Sequence, residues 1–98
     1  MLQRTSTPTV VVRANGEIDL DAAPALRRVL SKALRGHHEV VLDLSPVTFM
    51  DCAGLRVLVS ARDQADRTGR RLVLRGAGPQ VTRLLKLTRL ERHLPLES

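Results

Sequence analysis

Residues 41–59 read VLDLSPVTFMDCAGLRVLV, and this stretch decides the fold. It opens inside the segment Glu39-Val40-Val41-Leu42-Asp43-Leu44, where apolar residues on successive positions suit a strand covered on both faces. The loop 45–51 follows. From about Ala53 to Thr68 the pattern turns helical: Arg56, Ser60, Asp63 and Arg67 fall on one stripe, while Leu55, Val57, Leu58, Val59, Ala61 and Ala65 form a broad apolar side. Arg62–Asp66 and Asp63–Arg67 are i,i+4 pairs of opposite charge, and Gly69 is a helix stop.

Upstream, Thr9-Val10-Val11-Val12-Arg13 reads as a strand. Asn15-Gly16 is a turn dipeptide that tolerates positive φ, and Glu17-Ile18-Asp19 reads as a second strand, so the two predict a hairpin. Asp21 is positioned to cap a helix over 22–35, with Ala22, Leu26, Val29, Leu30, Ala33 and Leu34 on one face and Gly36 as its stop. Downstream, residues 71–75 give a strand, and Gly76-Ala77-Gly78-Pro79 turns into a helix over 79–88 with Pro79 at the tolerated first position. A short strand near 93–96 closes the chain. The order is β-β-α-β-α-β-α, an α/β fold with a mixed sheet of four to five strands and helices packed on it.

The chain of 98 residues predicts one domain, long enough to bury roughly 60–70% of its unfolded surface without disulfides or metals. No segment approaches the ~18 apolar residues of a membrane span, and no signal peptide is legible, so the expectation is a soluble cytoplasmic protein with no membrane partner. The net charge of +6 raises nucleic acid as a partner. Against it, fourteen of sixteen basic residues are Arg, the usage of a G+C-rich genome, and they are scattered. One Phe and no Trp or Tyr leave little for base stacking. The expected partners exclude nucleic acid.

No constellation of catalytic residues is readable. Cys52, the single cysteine, excludes an internal disulfide and sits at a helix start, where backbone N–H groups favour a thiolate; the adjacent Asp51 opposes this. His37, His38 and His93 have no metal-ligand spacing. Asp19, Asp21, Asp43 and Asp51 cluster near strand ends, where a magnesium ion is conceivable but caps and turns account for each one. Gly76-Ala77-Gly78 lacks the third glycine and following Lys of a phosphate cradle. The expectation is a binding protein, not an enzyme, with no cofactor and no metal.

Two segments together resemble the STAS domain, the family of sulfate transporter and anti-sigma factor antagonist domains. Gly16-Glu17-Ile18-Asp19 before an Ala/Pro-rich helix is similar to that family's first signature, and residues 41–59 are similar to its central one: an apolar strand, an Asp, two small residues, Gly-Leu and an apolar helix. The resemblance covers essentially the whole chain. It implies an anti-sigma-factor antagonist that binds a serine-kinase-type anti-sigma factor and so influences sigma-factor availability. In such members the first serine after the Asp is phosphorylated, and the phosphorylated form does not bind.

Matched residue by residue, Asp51 stands for the family's Asp, Cys52 for the phosphoacceptor, Ala53 for the second small residue, and Gly54-Leu55 for the pair that follows. A thiol is not the normal substrate of a serine kinase. Thr48 and Ser60 carry hydroxyls off the matching position, and Arg89 stands where the family often has a glycine. The expected contact surface is the loop 45–52 with the exposed side of the following helix: Thr48, Asp51, Cys52, Ala53, Gly54 and Arg56. A scaffold assembling with other STAS domains and a redox-sensing thiol protein are the alternative readings.

Overall fold

The computed structural model describes residues 9–90, 94 and 96–97. Strands β1 (Thr9–Arg13), β3 (Glu39–Asp43) and β5 (Arg71–Arg75), with a short β6 (Leu96–Glu97), form one sheet in the order β1-β3-β5-β6. A second, two-stranded sheet pairs β2 (Gly16–Ile18) with β4 (Val47–Met50). Helices α1 (Ala23–Gly36), α2 (Cys52–Arg67) and α3 (Pro79–Leu87) complete the order. The α/β class and the alternation read from sequence hold. The short closing strand expected near 93–96 is β6, Leu96–Glu97, while His93 and Pro95 lie outside the described residues.

The expected hairpin does not form. Asn15-Gly16 bends the chain without reversing it: β1 pairs in parallel with β3, and β2 continues onward to pair in parallel with β4. Ala14 N donates to the Asp43 carbonyl at 3.1 Å and Gly16 N to the Pro46 carbonyl at 3.1 Å, so the two strands cross the bend as a pair. Gly16, at φ 72°, supplies the left-handed backbone of that bend. Every ladder among the described residues is parallel. The loop expected over 45–51 is correspondingly shorter, because β4 occupies most of it. Register slips between Gly16 and Glu17, whose partners are Val47 and Phe49, which leaves Thr48 as the extra residue of a bulge.

The core lies between the main sheet and the paired helices α1 and α2. Leu30, Leu34, Val40, Leu42, Val57, Leu58 and Leu74 are fully buried there. Val29, expected on the buried face of α1, is 49% exposed, because the face that packs is centred on Leu26 and Leu30. Asp21 does not cap α1. Its N-cap is Ala22 without a side-chain bond, and Asp19 Oδ1 instead accepts from Asp21 N and Ala22 N at 3.1 and 3.0 Å. Gly69, at φ 69°, ends α2 as expected, whereas Gly36 is the last residue of α1. Arg89 adopts φ 60°, the left-handed region that a glycine enters at no steric cost.

Candidate functional site

The junction of β4 and α2 is built by Asp51. Its Oδ1 accepts from Ala53 N at 2.8 Å and Gly54 N at 3.1 Å, so the carboxylate satisfies two of the free donors of the α2 N-terminus. Asp51 N donates to the Ile18 carbonyl at 3.3 Å, tying the same residue to β2. The family-matched Asp is therefore a positioning residue. It fixes where the next side chain, Cys52, stands.

Gly54, expected among the contact residues, has a framework role in the structure. It is buried, and a Cβ there would meet the Ile18 carbonyl oxygen at 2.5 Å, Met50 Cγ at 2.8 Å and Ile18 Cγ2 at 2.9 Å. The bare backbone lets α2 start directly against β2 and β4, out of a partner's reach. Cys52 and Arg56 are exposed and Ala53 is half-buried. All three line a cleft of about 260 Å³ together with Leu20, which precedes α1, and with Pro24 and Arg27 from its first turns. Thr48 projects from the exposed bulge of β4. Of the six expected contact residues, Cys52, Ala53 and Arg56 share the cleft, Thr48 lies on the strand leading to it, and Asp51 and Gly54 hold the framework.

Sequence reading missed the apolar rim and the brace. Leu20, 74% exposed between two aspartates, and Phe49, 43% exposed, give the site apolar surface. A lone Leu or Phe in a polar segment gives no such signal until the fold brings β2 and β4 together. Gln80, near the start of α3, donates from Nε2 to the Met50 carbonyl at 2.8 Å and accepts on Oε1 from Met50 N at 2.9 Å. That amide closes the open edge of β4 one residue before Asp51. Nothing in a single glutamine thirty positions away announces it.

No group of three or more potential metal-ligating side chains comes together among the described residues. The acids near the strand ends are used separately. Asp19 holds the entry to α1, Asp51 caps α2, and Asp43 Oδ1 accepts from Ser45 N at 3.0 Å and Ser45 Oγ at 2.7 Å. Those two bonds, with Arg13 3.4 Å from Oδ2, hold the Asp43 carboxyl below its ordinary pKa against the opposing effect of burial. Gly78 is the N-cap of α3, with Pro79 behind it, and Gly76 at φ 70° packs on Ser45; the segment is a turn. His37 Nδ1 lies 3.1 Å from the Ala33 carbonyl. No helix among the described residues is long and apolar enough to cross a membrane.

A parallel α/β framework, with a capped helix opening on an exposed small residue, defines the class of small α/β domain to which the chain belongs. The STAS domain model matches residues 1–98, and the chain belongs to that family. It is 30% identical over 81 residues to an anti-sigma-B factor antagonist of Staphylococcus epidermidis, covering 82% of this chain and 75% of that one. The crystal structure of an anti-sigma factor antagonist from Mycobacterium paratuberculosis superposes with a TM-score of 0.81 at 30% identity, covering 90% of this chain and 75% of that one. The unphosphorylated form of the anti-sigma factor antagonist SpoIIAA shares the fold, with a TM-score of 0.78 at 22% identity over 93% of this chain and 81% of that one.

Proposed function

We propose that the chain is an anti-sigma-factor antagonist, which binds a serine-kinase-type anti-sigma factor in the cytoplasm and so influences sigma-factor availability. It acts by binding and not by catalysis. The observation that carries the reading is the exposed Cys52 at the capped start of α2, in a cleft with Ala53, Arg56 and the apolar Leu20. Family membership and the antagonist relatives at 30% identity give that site its meaning. The contacting groups are Cys52, Ala53, Arg56 and Thr48.

Cys52 occupies the phosphoacceptor-equivalent position without a hydroxyl. A phosphate would be well placed at a helix N-terminus, and its ~1.5–2 negative charges would spoil a fitted apolar rim. With a thiol in that place, serine phosphorylation there does not switch this protein. The test is capture from native lysate on immobilised wild-type and Cys52→Ser protein, with bound proteins identified by mass spectrometry. The reading expects both to retain an anti-sigma factor of kinase fold, and ATP to release it from Cys52→Ser alone. Retention of only other STAS domains, or only nucleic acid, would overturn it.

A further inference from the structure

The cleft at Cys52 does not end there. Arg27 lines both it and a second cleft of about 290 Å³ between α1 and α2, which continues past Ser31, Ser60 and Gln64 to Arg67. Both helices return against parallel strands, so they lie side by side in one direction with their N-termini at the Cys52 end. The groove carries positive charge at both ends and neutral polar groups, Ser31, Ser60 and Gln64, between them. Arg27 and Arg56 stand at its mouth and Arg67 at its far end. α1 carries Arg27, Arg28, Lys32 and Arg35 and no acid.

No carboxylate lines either cleft among the described residues, and the acids beside the helix starts, Asp51 before α2 and Asp19 before α1, are turned onto backbone N–H groups. α2 carries two acids, Asp63, exposed one turn before Arg67, and Asp66, paired with Arg62 at 3.2 Å. From Cys52 to Arg67 the helical rise is about 22 Å, the reach of roughly seven extended residues. Two lining cations, Arg27 and Arg56, stand at the mouth and a third, Arg67, at the far end, a separation that a chain bearing several carboxylates can span and a single phosphate cannot. The floor is small and apolar, Val57 and Ala61, and the mouth offers Leu20 and Pro24.

We propose that the groove between α1 and α2, from Cys52 past Arg27 and Arg56 to Arg67, receives an acidic segment of a partner protein whose apolar residue seats on Leu20 and Pro24. This rests on the antagonist reading for its Cys52 end and specifies the chemistry of the partner. Nucleic acid is the poorer occupant, because no aromatic side chain lines the groove to stack a base.

The probe is a fluorescein-labelled eight-residue peptide of alternating Leu and Glu, titrated by anisotropy beside its Leu/Gln and Leu/Lys counterparts and a single-stranded DNA octamer. Amide shifts in ¹⁵N-labelled protein report the site. The Leu/Glu peptide is expected to bind at least tenfold tighter than the other three at low salt, with shifts confined to α1 and the exposed face of α2. The double variant Arg27→Gln/Arg67→Gln, both residues being exposed and both replacements good helix formers, is expected to keep its Tm within a few degrees and lose at least tenfold in affinity. Equal binding of DNA, shifts on another face, or no response to the double variant would each overturn the proposal. If the double variant still captured a kinase-fold anti-sigma factor as wild type does, the groove would fall and the antagonist reading would stand. Peptide binding in the groove without any captured anti-sigma factor would do the reverse.

Discussion

Cys52 is exposed because Asp51 and Gly54 on either side of it are spent on structure. Gly54 has the sharper requirement: the nearest obstacle to a Cβ is a backbone carbonyl, Ile18 O at 2.5 Å, which cannot swing aside as a side chain would. Gly54→Ala is therefore expected to cost about 2 kcal/mol, the range of an overpacked core, despite the better helix propensity of Ala. Thermal unfolding by circular dichroism checks this, and an unchanged Tm would show that β2 yields easily. Arg89 is the opposite case. Its φ of 60° strains a side-chain-bearing residue in a position open to glycine. Arg89→Gly relieves that strain but frees the unfolded chain, and the balance is a gain of about 0.5 kcal/mol, read as a rise of a few degrees in Tm. The departure at Arg89 was visible in the sequence; its strain was not, because φ is set by how α3 ends.

At the scale of elements, the strand-then-helix rhythm was legible because buried parallel strands and amphipathic helices write different periodicities. The pairing was not. Asn15-Gly16 carries the chemistry of a hairpin turn, yet β2 finds a better partner in β4, which only the neighbouring β1–β3 pair brings alongside. β4 escaped notice because Phe49 and Thr48 point outward and Val47 and Met50 alone turn inward, too short a pattern to stand out. So short a strand needs bracing, and Gln80 provides it from α3. Gln80→Ala is expected to cost about 1 kcal/mol, since two hydrogen bonds are lost to groups that water then reaches. Gln80→Glu should be no better, because it keeps the acceptor for Met50 N but sets a carboxylate against the Met50 carbonyl. Hydrogen exchange gives the local reading: the Met50 amide loses protection in both variants while the amides of β3 keep theirs.

Over the whole molecule, the two sheets meet where Asp43 ends β3. Its carboxylate holds Ser45 at the exit toward β4 and Arg13 at the end of β1, so one side chain links the main sheet to the strand pair that carries the site. The bonds from the Ser45 backbone and hydroxyl, aided by Arg13, lower its folded pKa below 3.8, while in the unfolded chain it titrates at the ordinary value. A depressed carboxylate adds stability that is present above the unfolded pKa and is lost as pH falls through the folded one. The window is therefore acidic, from about pH 5 downward. With a net charge of +6 already present, each carboxylate protonated there also adds to the repulsion within the fold. Asp43→Asn keeps an acceptor for Ser45 but no charge for Arg13. Urea unfolding from pH 7 to pH 2 should show wild type more stable than Asp43→Asn by a constant margin above pH 5. Below that the margin should close, because protonated Asp43 and Asn are alike in charge. A margin that persisted to pH 2 would mean that the shape of the carboxyl, and not its ionisation, holds the junction.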